Sequence, residues 1–286
     1  MSADRYVEVL GARIRYRVEG RGPAVLLIHG LGASLESWRW TIPALRDRYT
    51  VVAFDFPGFG RSEPIPTAYV PDGAAMLTLA FMDAIRVPDA ALIGASLGGS
   101  IAVMTAGVSP GRCAALVLVA PAGFDRAVGL GPRLATLPVV GEAMIRAIGL
   151  YPPLGARHAF VDRRRFPREL IDAARRDFTE GTAGQTCLRV VRNLADFRGV
   201  RPEVVARVRE AASRITAPTL ILWGSRDRVL APQQGTAAAR AIPRARLYMM
   251  DGAGHVPFIE EAGDFNTAVT AFLTSVDRRL GAGARR

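Results

Sequence analysis

The stretch LIGASLGGSIAVMTAG, Leu92–Gly107, decides the reading of the fold. It opens as an apolar run suited to a strand buried on both faces and closes as a small-residue run suited to a packed helix. Ser96 stands at the junction, with Gly94 two residues before it and Gly98 two after. A turn from strand to helix within one residue forces that residue into a strained backbone conformation. It also brings neighbouring chain close to both flanks, where a side chain would clash and glycine is required. The turn lifts the hydroxyl clear of the sheet edge. It aims the first N–H groups of the helix, and the positive end of its dipole, at whatever the serine attacks. A tight glycine turn carrying an idle serine is the competing interpretation of these residues taken alone.

The alternation continues on both sides. AVLLIHG (Ala24–Gly30), TVVAFDF (Thr50–Phe56), AALVLVA (Ala114–Ala120), TLILWG (Thr219–Gly224) and RLYMMDG (Arg246–Gly252) read as further strands. SLESWRWTIPALRD (Ser34–Asp47) reads as a helix capped by Ser34 or Ser37. Residues 72–86, 97–108 and 233–241 and the C-terminal stretch are also expected to be helical. YVEVLGARIRYRVEG (Tyr6–Gly20) alternates around Gly11 as an antiparallel hairpin does at a sheet edge. Buried strands alternating with helices imply an α/β fold, a mostly parallel central sheet covered by helices on both faces. Residues 122–213 carry no buried-strand pattern. Their first part, Leu130–Leu154, is apolar, and the part from Arg157 onward mixes arginine and acid at helical spacing. The expected organisation is therefore a core domain of residues 1–121 and 214–286 with a helical cap inserted at 122–213.

Half of the 286 residues are hydrophobic and 22% are charged, which suits a sizeable core. The net charge is +11, and all the basic residues are arginines. They are dispersed among acids with no aromatic-interleaved stripe, which argues against a nucleic-acid partner. Cys113 and Cys187 do not make a disulfide framework; Cys113 reads as a buried core thiol. The three histidines stand far apart, so no metal site is expected. The uncharged run 90–111 is long enough to span a bilayer, but its glycines, serines and Ser-Pro indicate a strand and a packed helix. MSADRYVEVL lacks the basic and apolar regions of a signal peptide, so a cytoplasmic location without membrane contact is expected.

A serine hydroxyl needs a base, and the base needs a partner that fixes its tautomer. His29 ends a buried strand and reads as a brace for the following loop; His158 falls in the cap and reads as a surface residue. His255, in MDGAGHVPFIEE after the last strand, follows small residues and can enter a site from a loop. Asp227, a few residues beyond a strand in LILWGSRDRVLAP, lies where open α/β sheets build their sites. Asp125 also follows a strand end and is the second candidate acid; Asp251 reads as a turn residue.

HGLGAS from His29, DFPGFGRS from Asp55, GASLGG from Gly94, WGSRDRVLAP and GAGHVPFIEEAGDF together resemble the α/β-hydrolase fold superfamily, in its chain order of serine, acid and histidine. The resemblance implies Ser96 as nucleophile, His255 as base and Asp227 as its orienting acid. It implies an oxyanion hole from the backbone N–H groups of Leu31 and Leu97, and structural roles for Asp55 and Ser62. Gly30, Trp38 and Val256 are the candidate pocket residues, with a plain core tryptophan the alternative for Trp38. Serine at the elbow separates the chain from relatives resembling epoxide hydrolases and haloalkane dehalogenases, which carry aspartate there. The expected activity is cofactor-free hydrolysis of a small to medium hydrophobic carboxylic ester. PAGF after the strand ending at Ala120 resembles carbon–carbon bond hydrolases of ring-fission products, whereas HVPFIE and HGLG depart from them. Carbon–carbon hydrolysis and a non-catalytic small-molecule-binding protein with a hydrolase shell are the alternatives.

Overall fold

The computed structural model describes residues 3–156 and 158–283. Eight strands form one sheet: β1 (Arg5–Val9), β2 (Ala12–Glu19), β3 (Ala24–Ile28), β4 (Thr50–Phe54), β5 (Ala90–Ala95), β6 (Cys113–Val119), β7 (Thr219–Gly224) and β8 (Arg246–Met250). Their spatial order is β1-β2-β4-β3-β5-β6-β7-β8. The β1–β2 hairpin is antiparallel and joins β4 antiparallel; every pair from β4 to β8 is parallel. β5, which carries the elbow at its end, lies between β3 and β6 near the centre of the sheet.

Both faces of the sheet's centre are buried because β3, β5 and β6 carry no polar or charged side chain that needs water, and successive side chains feed two separate cores. On one face Leu26, Ile28, Leu92, Leu116, Leu118, Ile221 and Trp223 meet helices α1 (Pro71–Ala84) and α2 (Leu97–Val108). On the other, Leu27, Ile93, Val117 and Leu222 meet the long C-terminal helix through Phe265, Val269, Leu273 and Val276, residues at helical spacing. The segment 34–47 is broken where one helix was expected. A single 3₁₀ turn spans Leu35–Trp38 and a one-turn helix spans Ile42–Leu45. Neither Ser34 nor Ser37 caps it: the Ser37 hydroxyl donates to the Ser34 carbonyl at 2.8 Å, and the Leu35 N–H donates to Asp55 Oδ1 at 2.7 Å instead.

Between β6 and β7 run α3 (Leu130–Ala135), α4 (Val140–Leu150), α5 (Arg168–Thr179), α6 (Ala183–Leu194) and α7 (Pro202–Ser213). Ala135, Leu188 and Val191 form a small core of their own, against which Met144, Ile145 and Leu31 pack. Within the 122–213 range expected to form the cap, α7 instead lies along α2. A β-carbon on Gly107 would fall on the Ala211 carbonyl, and Val204, Val205 and Val208 belong to the core beneath the sheet. Among the described residues, no helix is long and apolar enough to cross a membrane.

Candidate active site at the rim of the sheet

Ser96 ends β5 with φ 54° and ψ −114°, a left-handed conformation that a side chain rarely adopts. Its neighbours hold it there. The Ser96 N–H donates to the Val119 carbonyl of β6 at 2.8 Å, and its own carbonyl accepts from Ser100 and Ala122 at 3.1 and 3.2 Å. A β-carbon on Gly94 would fall on the Gly98 carbonyl, and one on Gly98 would fall on the carbonyls of Ile28 and His29. The glycines are therefore demanded by backbone meeting backbone, the helix start being wedged against the ends of β3 and β5.

Asp227 and His255 come together from different strands. His255 Nδ1 lies 2.7 Å from Asp227 Oδ2, both residues buried. Asp227 Oδ1 accepts the N–H groups of Val229 and Leu230 at 2.8 and 3.0 Å, so the carboxylate cannot swing away from the ring. The loop after β8 folds back across the end of β7: the Arg226 N–H donates to the Ala253 carbonyl at 2.9 Å, and a β-carbon on Gly224 would fall on the carbonyls of Ala253 and Gly254. Asp125 is exposed and accepts from its own turn, the Ala127 N–H at 2.8 Å. Asp251 accepts from Ser225 Oγ at 3.1 Å.

The other histidines are occupied or remote. His29 Nε2 accepts the Phe56 N–H at 2.9 Å and its Nδ1 meets the Gly30 carbonyl at 2.8 Å, which fixes the tautomer with the proton on Nδ1. Burial pushes its pKa down, so it remains a neutral brace between the loops after β3 and β4. His158 is exposed. Asp55 is fully buried and ties three segments, accepting from Leu35, from Arg61 and from the Arg15 guanidinium at 3.1 Å; Ser62 Oγ accepts the Arg15 N–H at 2.9 Å.

Gly30 abuts the elbow: a β-carbon there would lie 3.4 Å from Ser96 Cβ. The half-buried Leu31 and Leu97 thus belong to the two chain turns that flank the serine. Leu97 is the first residue of α2, whose N–H has no partner within its helix. Val256 is half-buried directly after His255. Trp38 is core: it is fully buried and stacks on Phe258 with ring centroids 4.6 Å apart, under the histidine loop. The inserted helices supply neighbours that local pattern did not reveal. Phe178 and Cys187 lie over Gly32, where a β-carbon would be 3.2 Å and 3.4 Å from their side chains. Burial pushes the Cys187 thiol up to about 12, leaving it an uncharged apolar contact. Beside the elbow lies an apolar cavity of about 70 Å³, bounded by Leu97, Ile101 and Met104 of α2, Val190 and Leu194 of α6 and Val208 of α7.

Residues 25–268, which include the elbow and the aspartate–histidine pair, match a family model described as the alpha/beta hydrolase family. The chain belongs to the alpha/beta hydrolase family. It is 29% identical over 277 residues to an uncharacterised protein of Mycobacterium bovis, covering 94% of this chain and 80% of that one. It is 28% identical over 289 residues to the 2-hydroxymuconate semialdehyde hydrolase of a Pseudomonas species, covering 94% of each. A crystal structure of a membrane phospholipase A superposes with a TM-score of 0.77 at 28% identity, over 96% of this chain and 86% of that one.

Proposed function

We propose that this alpha/beta hydrolase is a serine esterase that cleaves the carboxylic ester of a small to medium hydrophobic substrate through an acyl-enzyme, without a cofactor. The observation that carries the reading is the buried 2.7 Å Asp227–His255 pair on the same rim as a glycine-wedged serine. In this reading Ser96 Oγ attacks the ester carbonyl as His255 Nε2 takes its proton. The tetrahedral oxyanion accepts from the N–H groups of Leu31 and Leu97. Collapse expels the alkoxide, which takes the proton from His255 and leaves as the alcohol. Water, deprotonated by the same ring, then releases the acid and restores Ser96. Asp227 holds the Nδ1–H tautomer and faces the positive charge that forms on the ring; each oxyanion donor contributes roughly a hundred- to a thousand-fold in rate.

The mostly carbon lining beside the elbow supports a hydrophobic acyl or alcohol group, and α3–α6 act as the cap that excludes water over it. Arginines of the cap are spread over solvated faces, so the substrate need carry no carboxylate. A cytoplasmic location belongs to the same proposal. Labelling with a fluorophosphonate tests the reading. The adduct is expected on Ser96, and Ser96→Ala is expected to lower ester turnover by roughly 10⁴-fold or more. Absent labelling, or turnover that survives the substitution, overturns it.

The match along 94% of both chains to a semialdehyde hydrolase favours one second reading, carbon–carbon hydrolysis of a vinylogous diketone with the same serine and histidine. Loss of such a coloured substrate at a kcat/KM well above that for p-nitrophenyl esters selects it.

A further inference from the structure

Glu260 is a buried carboxylate to which the reaction above assigns no part. It closes the one-turn helix Pro257–Glu260, five residues after His255. Its Oε1 accepts the Gly254 N–H at 3.0 Å and its Oε2 accepts the Val161 N–H at 2.8 Å. Between those two bonds the His255 N–H donates to the Ala159 carbonyl at 2.8 Å. Two hydrogen bonds thus cross between residues 159–161 of the insertion and the histidine segment, His255 to Ala159 and Val161 to Glu260, and the third, Gly254 to Glu260, ties the histidine loop to the same carboxylate. The join is close-fitting: a β-carbon on Gly254 would lie 2.6 Å from both the Ala159 carbonyl oxygen and Glu260 Oε1. Burial pushes the Glu260 carboxyl up, while the backbone N–H groups it accepts oppose that shift.

We propose that Glu260 is a positioning residue, a clasp through which the docked insertion sets the backbone of His255. The inference rests on the reading of His255 as the base. The residue just before His255 is held by one carboxylate oxygen and His255 itself by the Ala159 carbonyl. The strand of chain bearing Ala159 is held by the other oxygen. Opening the clasp frees both sides at once and lets the imidazole drift from the serine, and displacements of about 1 Å cost up to about a hundred-fold in rate. An exposed ion pair, Arg165 Nη1 to Glu261 Oε1 at 2.8 Å, spans the same two segments. Exposed pairs contribute little, so it serves as the control.

Glu260→Gln discriminates. An amide has one acceptor oxygen where the carboxylate has two, so it cannot accept both N–H groups and turns its own donor toward one of them. Wild type, Glu260→Gln, Glu260→Ala and Arg165→Ala are compared by p-nitrophenyl ester kinetics, by the second-order rate of fluorophosphonate labelling, and by amide hydrogen exchange. For Glu260→Gln we expect kcat to fall about tenfold with KM within about threefold of wild type, and labelling to slow in step. We also expect amide protection to drop together at 159–161 and 254–256. Arg165→Ala stays within about twofold of wild type. Wild-type kcat and labelling in Glu260→Gln, a change confined to KM, or protection lost on only one segment overturns the proposal. If Glu260→Ala does not fold, as circular dichroism would show, Glu260→Gln decides alone. If even the wild type neither labels nor turns over esters, the esterase reading fails. The exchange measurement then still decides the clasp: joint loss of protection upholds it, and unchanged protection removes it.

Discussion

The elbow and the inserted helices meet at the same opening yet are built by different rules. At the elbow, backbone touches backbone: Gly94 against the Gly98 carbonyl, Gly98 against the ends of β3, Gly224 under the carbonyls of Ala253 and Gly254. Nothing there can repack, because a carbonyl cannot change rotamer. The insertion meets the core through side chains: Phe178 and Cys187 over Gly32, and Leu188 and Ile145 in the cluster that includes Leu31. Such contacts tolerate exchanges that conserve volume. The contrast separates a rigid rim, which in the proposed reading sets the chemistry, from a more deformable insertion packed over it. Glu260, joining His255 to the insertion, is where the two regimes connect.

Three measurements can break or sharpen that contrast. The largest effect belongs to the rim's buried pair: Asp227→Asn should lower kcat about 10⁴-fold with little change in fold, whereas Asp125→Asn should leave it within about twofold. Steady-state kinetics of the two variants decide this, and a larger loss for Asp125→Asn would transfer the acid's role. Next, Gly98→Ala should destabilise the protein by roughly 3 kcal/mol or more, read by urea denaturation, since its β-carbon has only carbonyls to displace. A tolerated alanine would show the rim to be as plastic as the insertion.

The smallest effect belongs to the insertion. Asp177, on α5, is half-buried, and burial together with nearby Asp55 pushes its pKa up from 3.8 to about 6. A carboxyl with a raised pKa holds its proton longer folded than unfolded, so its contribution to stability is present below the unfolded value and lost as pH rises through about 6. Asp177→Asn should therefore be more stable than wild type by about 2 kcal/mol at pH 8, with the gap closing toward pH 4. Denaturation at the two pH values checks it; a gap that widens at low pH would reverse the sign.

Much of the rim was legible because its rules are local. Period-two and fully apolar strands announced the sheet, and Gly94-x-Ser96-x-Gly98 announced the elbow. Position after a strand end offered both Asp227 and Asp125, and the contact with His255 is what separates them. The illegible parts depend on segments far apart in the chain. Gly224 and Gly254 are small because distant backbone passes over them, and no neighbouring residue signals that. The start of the 34–47 segment was equally unreadable, because the Leu35 N–H goes to a distant carboxylate, Asp55, and neither Ser34 nor Ser37 caps it. Trp38 offered both pocket and core readings until Phe258, 220 positions later, stacked on it. Helical spacing within 122–213 showed helices but not which of them also pack against the helices of the sheet, as α7 does along α2.

The left-handed backbone at Ser96 has one further consequence. That conformation exists only while β3, β5, β6 and α2 are assembled around it, because each holds or blocks one direction of relaxation. A chain still being synthesised, or one that has come apart, carries at this position an ordinary alcohol with no partner. Under the proposed esterase reading, reactivity is thereby confined to finished molecules, and a damaged copy disarms itself as it loosens.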